Sequence, residues 1–136
     1  MGLNAEIKSV VNWDAPSVDI EDNLRKVIKK MLEHKASALA VKVGDKVAGV
    51  VTDMDVMDCI SNKEDLDEIK ASKFMTACEL INDKGVKTPC VQLDESQSVE
   101  SALGVMATAG VHHLLVAGEK TAGMVSVHDL LKLVVE

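Results

Sequence analysis

Residues 49–55, Gly-Val-Val-Thr-Asp-Met-Asp, return as residues 123–129, Gly-Met-Val-Ser-Val-His-Asp. Gly49 and Gly123, Thr52 and Ser126, and Asp55 and Asp129 are each 74 positions apart. Two such strings in phase within 136 residues mark an internal duplication. The chain is then two small halves of like topology. A half this short exposes an apolar face that needs covering, which is the physical reason to carry two.

The flanking pattern repeats as well. Residues 3–12 read as a short lead-in helix or turn with Leu3, Ile7, Val10 and Val11 on one face, and Trp13 as a packing anchor. Pro16 opens an extended stretch, 17–20, with alternating apolar residues. Asp22 or Asn23 is placed to cap a helix whose stripe is Leu24, Val27, Ile28, Met31 and Leu32. His34 and Lys35 stand at its C-terminal end, where positive charge suits the helix dipole. A strand at 38–43, a turn at 44–46 and a strand at 47–51 follow. Thr52 or Asp53 caps a helix over 54–60. Residues 61–70 are a polar connector with Leu66 and Ile69 as weak anchors, and a short helix is expected near 72–80.

The second half follows the same plan. Residues 89–93 are extended, and Ser98 caps a helix with Val99, Ala102, Leu103 and Met106 on one face. Gly110 ends that helix. A strand at 113–117, a turn at 118–120 and a strand at 121–125 lead to a helix over 128–135 with Leu130, Leu131, Leu133 and Val134. The offset is 73 from Val18 to Val91, and 75 from Met31 to Met106 and from Val41 to Val116. On this alignment the helix entry gains residues and the hairpin loses one. Each half reads strand–helix–strand–strand–helix.

Composition excludes several classes. A formal net charge of −7 argues against nucleic acid and against an anionic membrane surface, both of which need basic partners. No apolar run approaches the roughly 20 residues of a membrane helix. The first residues lack the basic and apolar regions of a signal peptide, so a cytoplasmic location is expected. Trp13 and Phe74 are the only aromatic residues, so the core must be aliphatic, with the seven methionines as filler. Cys59, Cys78 and Cys90 form no metal-ligand pattern and read as reduced, mostly buried residues.

Both halves resemble the CBS domain, the repeat named after cystathionine β-synthase; a tandem pair is called a Bateman module. The resemblance rests on residues 17–20, on Val27, Ile28 and Met31, on Leu39, Ala40 and Val41, and on the string at 49–55. In the second half it rests on residues 90–93, Ala102, Leu103, Met106, Leu114, Leu115, Val116 and the string at 123–129. It implies an α/β (α+β) fold of two βαββα repeats with pseudo-two-fold symmetry, sheets packed together and helices outside. The division expected is 1–67 for repeat 1 with lead-in and connector, and 68–136 for repeat 2. It further implies a regulatory module without catalysis, paired as a homodimer and read by an effector protein.

The resemblance also implies an adenosyl ligand: AMP, ADP or ATP, with S-adenosylmethionine as the alternative. The candidate residues are Thr52, Asp55, Ser126 and Asp129, with Val50, Val51, Met124, Val125, His113 and His128. Their chemistry fits. An aspartate accepts both cis hydroxyls of a ribose, and a charged hydrogen bond is worth roughly 1.5–3 kcal/mol. A hydroxyl at a helix start can meet a phosphate beside backbone donors and a favourable dipole. The apolar pair can pack on adenine, and the glycine lets a ligand or an opposing backbone come close. A purely structural account stands beside this one: Thr52 with Asp55, and Ser126 with Asp129, have capping-box spacing. Asp53 disfavours phosphate at the first copy, whereas His128, with His112 and His113, favours it at the second. His112 and His113 begin a strand, so one of them can face a cleft, and a metal would need a third ligand that the sequence does not place; no nucleophile–base pair marks an enzyme. A ligand-free structural or dimerisation module is the remaining rival.

Overall fold

The computed structural model describes residues 2–77, 79–81, 87–89, 92–117 and 123–136. Cys78, Cys90, Val91, the 118–120 turn and the first two residues of the 121–125 strand lie outside the described residues. The chain forms two units, Pro16–Cys90 and Met1–Ala15 with Val91–Glu136.

In the Pro16–Cys90 unit, β1 (Ser17–Asp19) leads to α1 (Leu24–His34). Asn23 caps α1 by accepting the Lys26 N–H at 3.0 Å. Lys35 ends it at a left-handed φ of 49°, and the Ala36 N–H closes on the Met31 carbonyl at 2.9 Å. Leu24, Val27 and Met31 are buried, but Leu32, expected on the same stripe, is 72% exposed. It follows Met31 by one residue, which is about 100° around the helix and off the buried face.

Strands β2 (Ala38–Val43) and β3 (Lys46–Thr52) form an antiparallel hairpin. Val43 pairs with Lys46, so the turn is the two residues Gly44 and Asp45, with Gly44 at φ 61°. β1 runs parallel to β2, with Val18 opposite Val41. Helix α2 (Asp53–Ser61) follows β3 directly. The helix expected near 72–80 is one turn, α3 (Ala71–Phe74). Met75 turns extended, and β4 (Thr76–Ala77) pairs with β3, Thr76 opposite Val50; edge pairing ends the helix. Strands β5 (Glu79–Ile81) and β6 (Lys87–Pro89) pair separately. Val18, Val27, Met31, Leu39, Val41, Val51 and Ala71 make the core, with Phe74 and Met75 against it.

The connector has a defined task. The first N–H groups of a helix have no partner within it. Here the Ile69 carbonyl accepts from Leu24 N–H at 3.0 Å and the Leu66 carbonyl from Arg25 N–H at 2.9 Å. Arg25 also holds Asp67 by two bonds, 2.7 and 3.2 Å.

The other unit begins with two 3-10 helices, Gly2–Asn4 and Ile7–Val10. It continues with β7 (Gln92–Asp94), α4 (Val99–Ala109), β8 (His113–Ala117), β9 (Gly123–Ser126) and α5 (Val127–Val135). β7 is parallel to β8 and β8 antiparallel to β9. Ser98 caps α4, accepting the Ser101 N–H at 3.1 Å, and Gly110 ends it at φ 69°. Ile7, Leu93, Val99, Ala102, Met106, Val116, Val125, Leu130 and Leu133 form the core. Leu131, expected inside, is 49% exposed. The lead-in, grouped with the first copy on sequence, belongs to this unit. Ile7 is fully buried there, and Asn12 exchanges two backbone bonds with Met124, 2.9 and 3.0 Å.

Strand pairing corrects one alignment. Ser17 pairs with Ala40 and Gln92 with Leu115, so the halves run at an offset of 75 from the first strand through the second. Val18 therefore matches Leu93, not Val91, and the helix entry gains nothing. The single loss in the hairpin stands. Both units carry the expected strand–helix–strand–strand–helix order. Among the described residues, no helix is long and apolar enough to cross a membrane.

Candidate functional site

The duplicated string occupies one place in each unit, the end of the last hairpin strand and the first turn of the next helix. Thr52 and Ser126 are extended N-caps, at φ −114° and −102°. The Thr52 hydroxyl accepts the Asp55 N–H at 3.3 Å, and Asp55 Oδ2 accepts the Thr52 N–H at 2.9 Å and its hydroxyl at 3.2 Å. In the second unit the Ser126 hydroxyl accepts the Asp129 N–H and Asp129 Oδ2 accepts the Ser126 N–H, both at 3.1 Å. Both copies are complete capping boxes. The preceding loops supply a further acceptor each. Ser37 O takes the Asp53 N–H at 2.9 Å, and His112 O takes the Val127 N–H at 2.8 Å.

This geometry limits what a ligand can use. The first and third backbone donors of each helix are engaged inside the unit, so a phosphate would not meet a full crown of free N–H groups. One oxygen of each aspartate is engaged too. Asp55 Oδ1 makes no hydrogen bond among the described residues, while Asp129 Oδ1 lies 3.9 Å from the Lys132 ammonium.

The apolar pair does not act as a pair. Successive strand residues face opposite sides. Val51 and Val125 are buried in the cores of their own units. Val50 and Met124 lie on the other face, Val50 half-buried and Met124 buried. Only those two remain to meet an adenine. The motif glycines also receive a different neighbour from the one expected. A Cβ at Gly49 would stand 2.5 Å from the Thr76 carbonyl oxygen and 2.9 Å from Met75 Sδ. At Gly123 it would stand 2.5 Å from Val11 Cγ1 and 2.8 Å from Trp13 Cε3. Neither glycine has a positive φ, so what they supply is space, and each unit fills it with its own chain.

His113 is half-buried and pairs with Ser126 across β8 and β9. His112 and His128 are exposed, His128 at the second position of α5. No group of three metal-ligating side chains occurs among the described residues. Cys59 is buried, and burial, then the carboxylates of Glu64, Asp55 and Asp58, push its thiol up. It stays protonated and packs as a small apolar residue. Lys132 beside Asp129 is not among the sequence candidates, although its spacing of three places it on the same helix face. Val11 and Trp13 read as packing residues on sequence, but nothing local ties them to Gly123, or Met75 to Gly49.

The chain matches the CBS domain model twice, over residues 7–62 and 81–136. It is 30% identical over 126 residues to an uncharacterized 33.4 kDa protein in the ribosomal RNA operon of Thermofilum pendens; the match covers 91% of this chain and 38% of that relative. A putative signal-transduction protein with CBS domains from Burkholderia ambifaria is similar in structure, with a TM-score of 0.72 and 26% identity, over 87% of this chain and 80% of that one. The CBS domain pair of protein MJ0100, solved with 5′-methylthioadenosine and S-adenosyl-L-methionine, has a TM-score of 0.74 and 14% identity, over 95% of this chain and 98% of that one. The chain belongs to the CBS domain family and carries two copies of the domain.

Proposed function

We propose that this chain is a regulatory sensor of adenosyl ligands without catalysis of its own. The observation that carries the reading is the repeated hydroxyl–carboxylate pair, Thr52 with Asp55 and Ser126 with Asp129, at equivalent helix starts. The carboxylates are the ribose acceptors, and Val50 and Met124 are the apolar contacts for the base. MJ0100's two adenosyl ligands support the class. The Ser126/Asp129 copy is the better adenine-nucleotide site (AMP, ADP or ATP), because His128 and Lys132 bring donors and positive charge to its helix. On α2, Asp53, Asp55 and Asp58 favour a cation, so S-adenosylmethionine suits the Thr52/Asp55 copy.

A thermal-shift screen with AMP, ADP, ATP and S-adenosylmethionine tests this. A ligand held only by the folded state stabilises by about 2.7 kcal/mol at a hundredfold excess over Kd. A rise in Tm with at least one of the four is expected, and no rise with any overturns the reading in favour of a ligand-free structural module.

The proposed sensor works as a homodimer and acts on an effector protein. Met54, Met57 and Ile60 are exposed on one face of α2, and Leu131, Val134 and Val135 are exposed on α5, its counterpart in the duplication. Like faces presented by two copies suit a symmetric pair. Light scattering is expected to give twice the 14.6 kDa chain mass. A monomer at all concentrations contradicts it. Ligand binding shifts the output by favouring one of two pre-existing states.

A further inference from the structure

We infer that residues 5–13 and 69–77 are two copies of one clamp segment, exchanged between the halves, and that each positions the motif strand of the unit it packs on. The contacts correspond at a second offset, 64. Ala5 O accepts from Val99 N–H, the first residue of α4; Ile69 O accepts from Leu24 N–H, the first residue of α1. Glu6 bridges Ser98 as Lys70 bridges Asn23, and both partners are helix caps. Ile7 N–H donates to Gln97 O at 3.0 Å, and Ala71 N–H donates to Asp22 O at 2.8 Å. The 3-10 helix Ile7–Val10 matches the single turn Ala71–Phe74, end to end. Ile7 and Ala71 are each fully buried in their unit's core. Asn12 pairs with Met124 as Thr76 pairs with Val50.

The two clamps share no residue at any of these nine positions, yet apolar and polar positions fall in the same order: Ala5, Ile7, Val10, Val11 and Trp13 against Ile69, Ala71, Phe74, Met75 and Ala77. Each clamp precedes one repeat in the chain and packs on the other. Trp13 stands four residues before β1 but covers Gly123; Met75 leads toward β7 but covers Gly49. Each therefore presses on the strand that delivers a motif hydroxyl and carboxylate three and six residues later. Val11, Trp13 and Met75 are positioning residues for the two motifs. A one-turn helix and an edge pairing hold each segment.

Amide hydrogen exchange on the full chain tests the assignment. Trp13→Ala is expected to speed exchange at residues 124–129 about tenfold, the fold-change of roughly one lost hydrogen bond, and to leave residues 50–55 unchanged. Met75→Ala is expected to do the reverse. Should Trp13→Ala fail to fold, Val11→Ala is read in the same way. Loosening of residues 50–55 by Trp13→Ala, equal loosening of both motifs, or loosening of neither overturns the exchange. That these motifs bind adenosyl ligands is the proposed function, and it has its own arm. Wild-type protein with each of the four adenosyl compounds is expected to show slowed exchange at a motif. If none slows exchange, that reading fails, while the variants still decide the clamp.

Discussion

Trp13 covers Gly123. A Cβ at position 123 would meet the Trp13 ring at 2.8 Å and Val11 Cγ1 at 2.5 Å. Gly123→Ala is therefore expected to destabilise the chain by about 1–3 kcal/mol, the usual cost of overpacking. Val11→Ala removes the nearer atom, so the double variant should lose less than the two single losses added. Urea unfolding gives all three values; strict additivity contradicts the packing account.

Gly49→Ala should be the harsher of the glycine changes. The nearest atom there is a backbone oxygen, Thr76 O at 2.5 Å, and backbone yields less readily than a side chain. The same urea titrations rank the two. A Gly49→Ala variant as stable as wild type would mean that β4 does not hold β3.

Ile7→Ala is expected to cost about 2–5 kcal/mol, as for a fully buried aliphatic residue. Leu3→Ala, at a position 46% exposed, should fall within about 0.5 kcal/mol of wild type. Comparable losses at the two positions would contradict the lead-in's place in the second unit.

Capping and binding can be separated at Ser126. Ser126→Ala removes the acceptor for Asp129 N–H and is expected to cost about 0.5–2 kcal/mol without any ligand. Ser126→Thr keeps the cap and should restore most of that loss. Ligand-free Tm values of the two variants decide whether the box is structural; no loss with alanine would leave the hydroxyl without a capping role.

Acid titration reads the connector. The hydrogen bond from Arg25, then its charge, holds the Asp67 carboxyl below the usual carboxylate range. A lowered folded pKa stabilises above the unfolded value, about 3.9, and that contribution is lost as pH falls through the folded pKa. Wild type should thus exceed Asp67→Asn in urea midpoint at neutral pH, by a small margin because the pair is exposed. The margin should shrink below about pH 4. A margin that persists undiminished in strong acid would rule out the ion pair as its source.

Much of this was legible in the chain. The 74-residue echo fixed two helix starts, and the caps Asn23, Ser98 and Gly110 are where residue type and spacing put them. The failures share a cause. Leu32 and Leu131 obey helical spacing, but spacing does not say how wide the buried face is. Near residue 75 local pattern favoured helix, and pairing with a strand some 25 residues earlier ended it. Val50 and Val51 read as one apolar pair until strand alternation separated them. The clamp was the least visible, since Trp13 and Ala77, or Val11 and Met75, share polarity and nothing else. Spacing alone turns Ile7 inward, but its core lies some 90 residues away in sequence.

The proposed function places adenosyl binding at the two motifs, with the second preferred for nucleotides. Isothermal calorimetry of the full chain with ATP and AMP, repeated on Asp129→Ala and Asp55→Ala, tests it most directly. Wild type is expected to give saturable heat, Asp129→Ala to lose about tenfold or more in affinity, as a lost charged hydrogen bond carries, and Asp55→Ala to change little. Nucleotide binding lost with Asp55→Ala and kept with Asp129→Ala would contradict it.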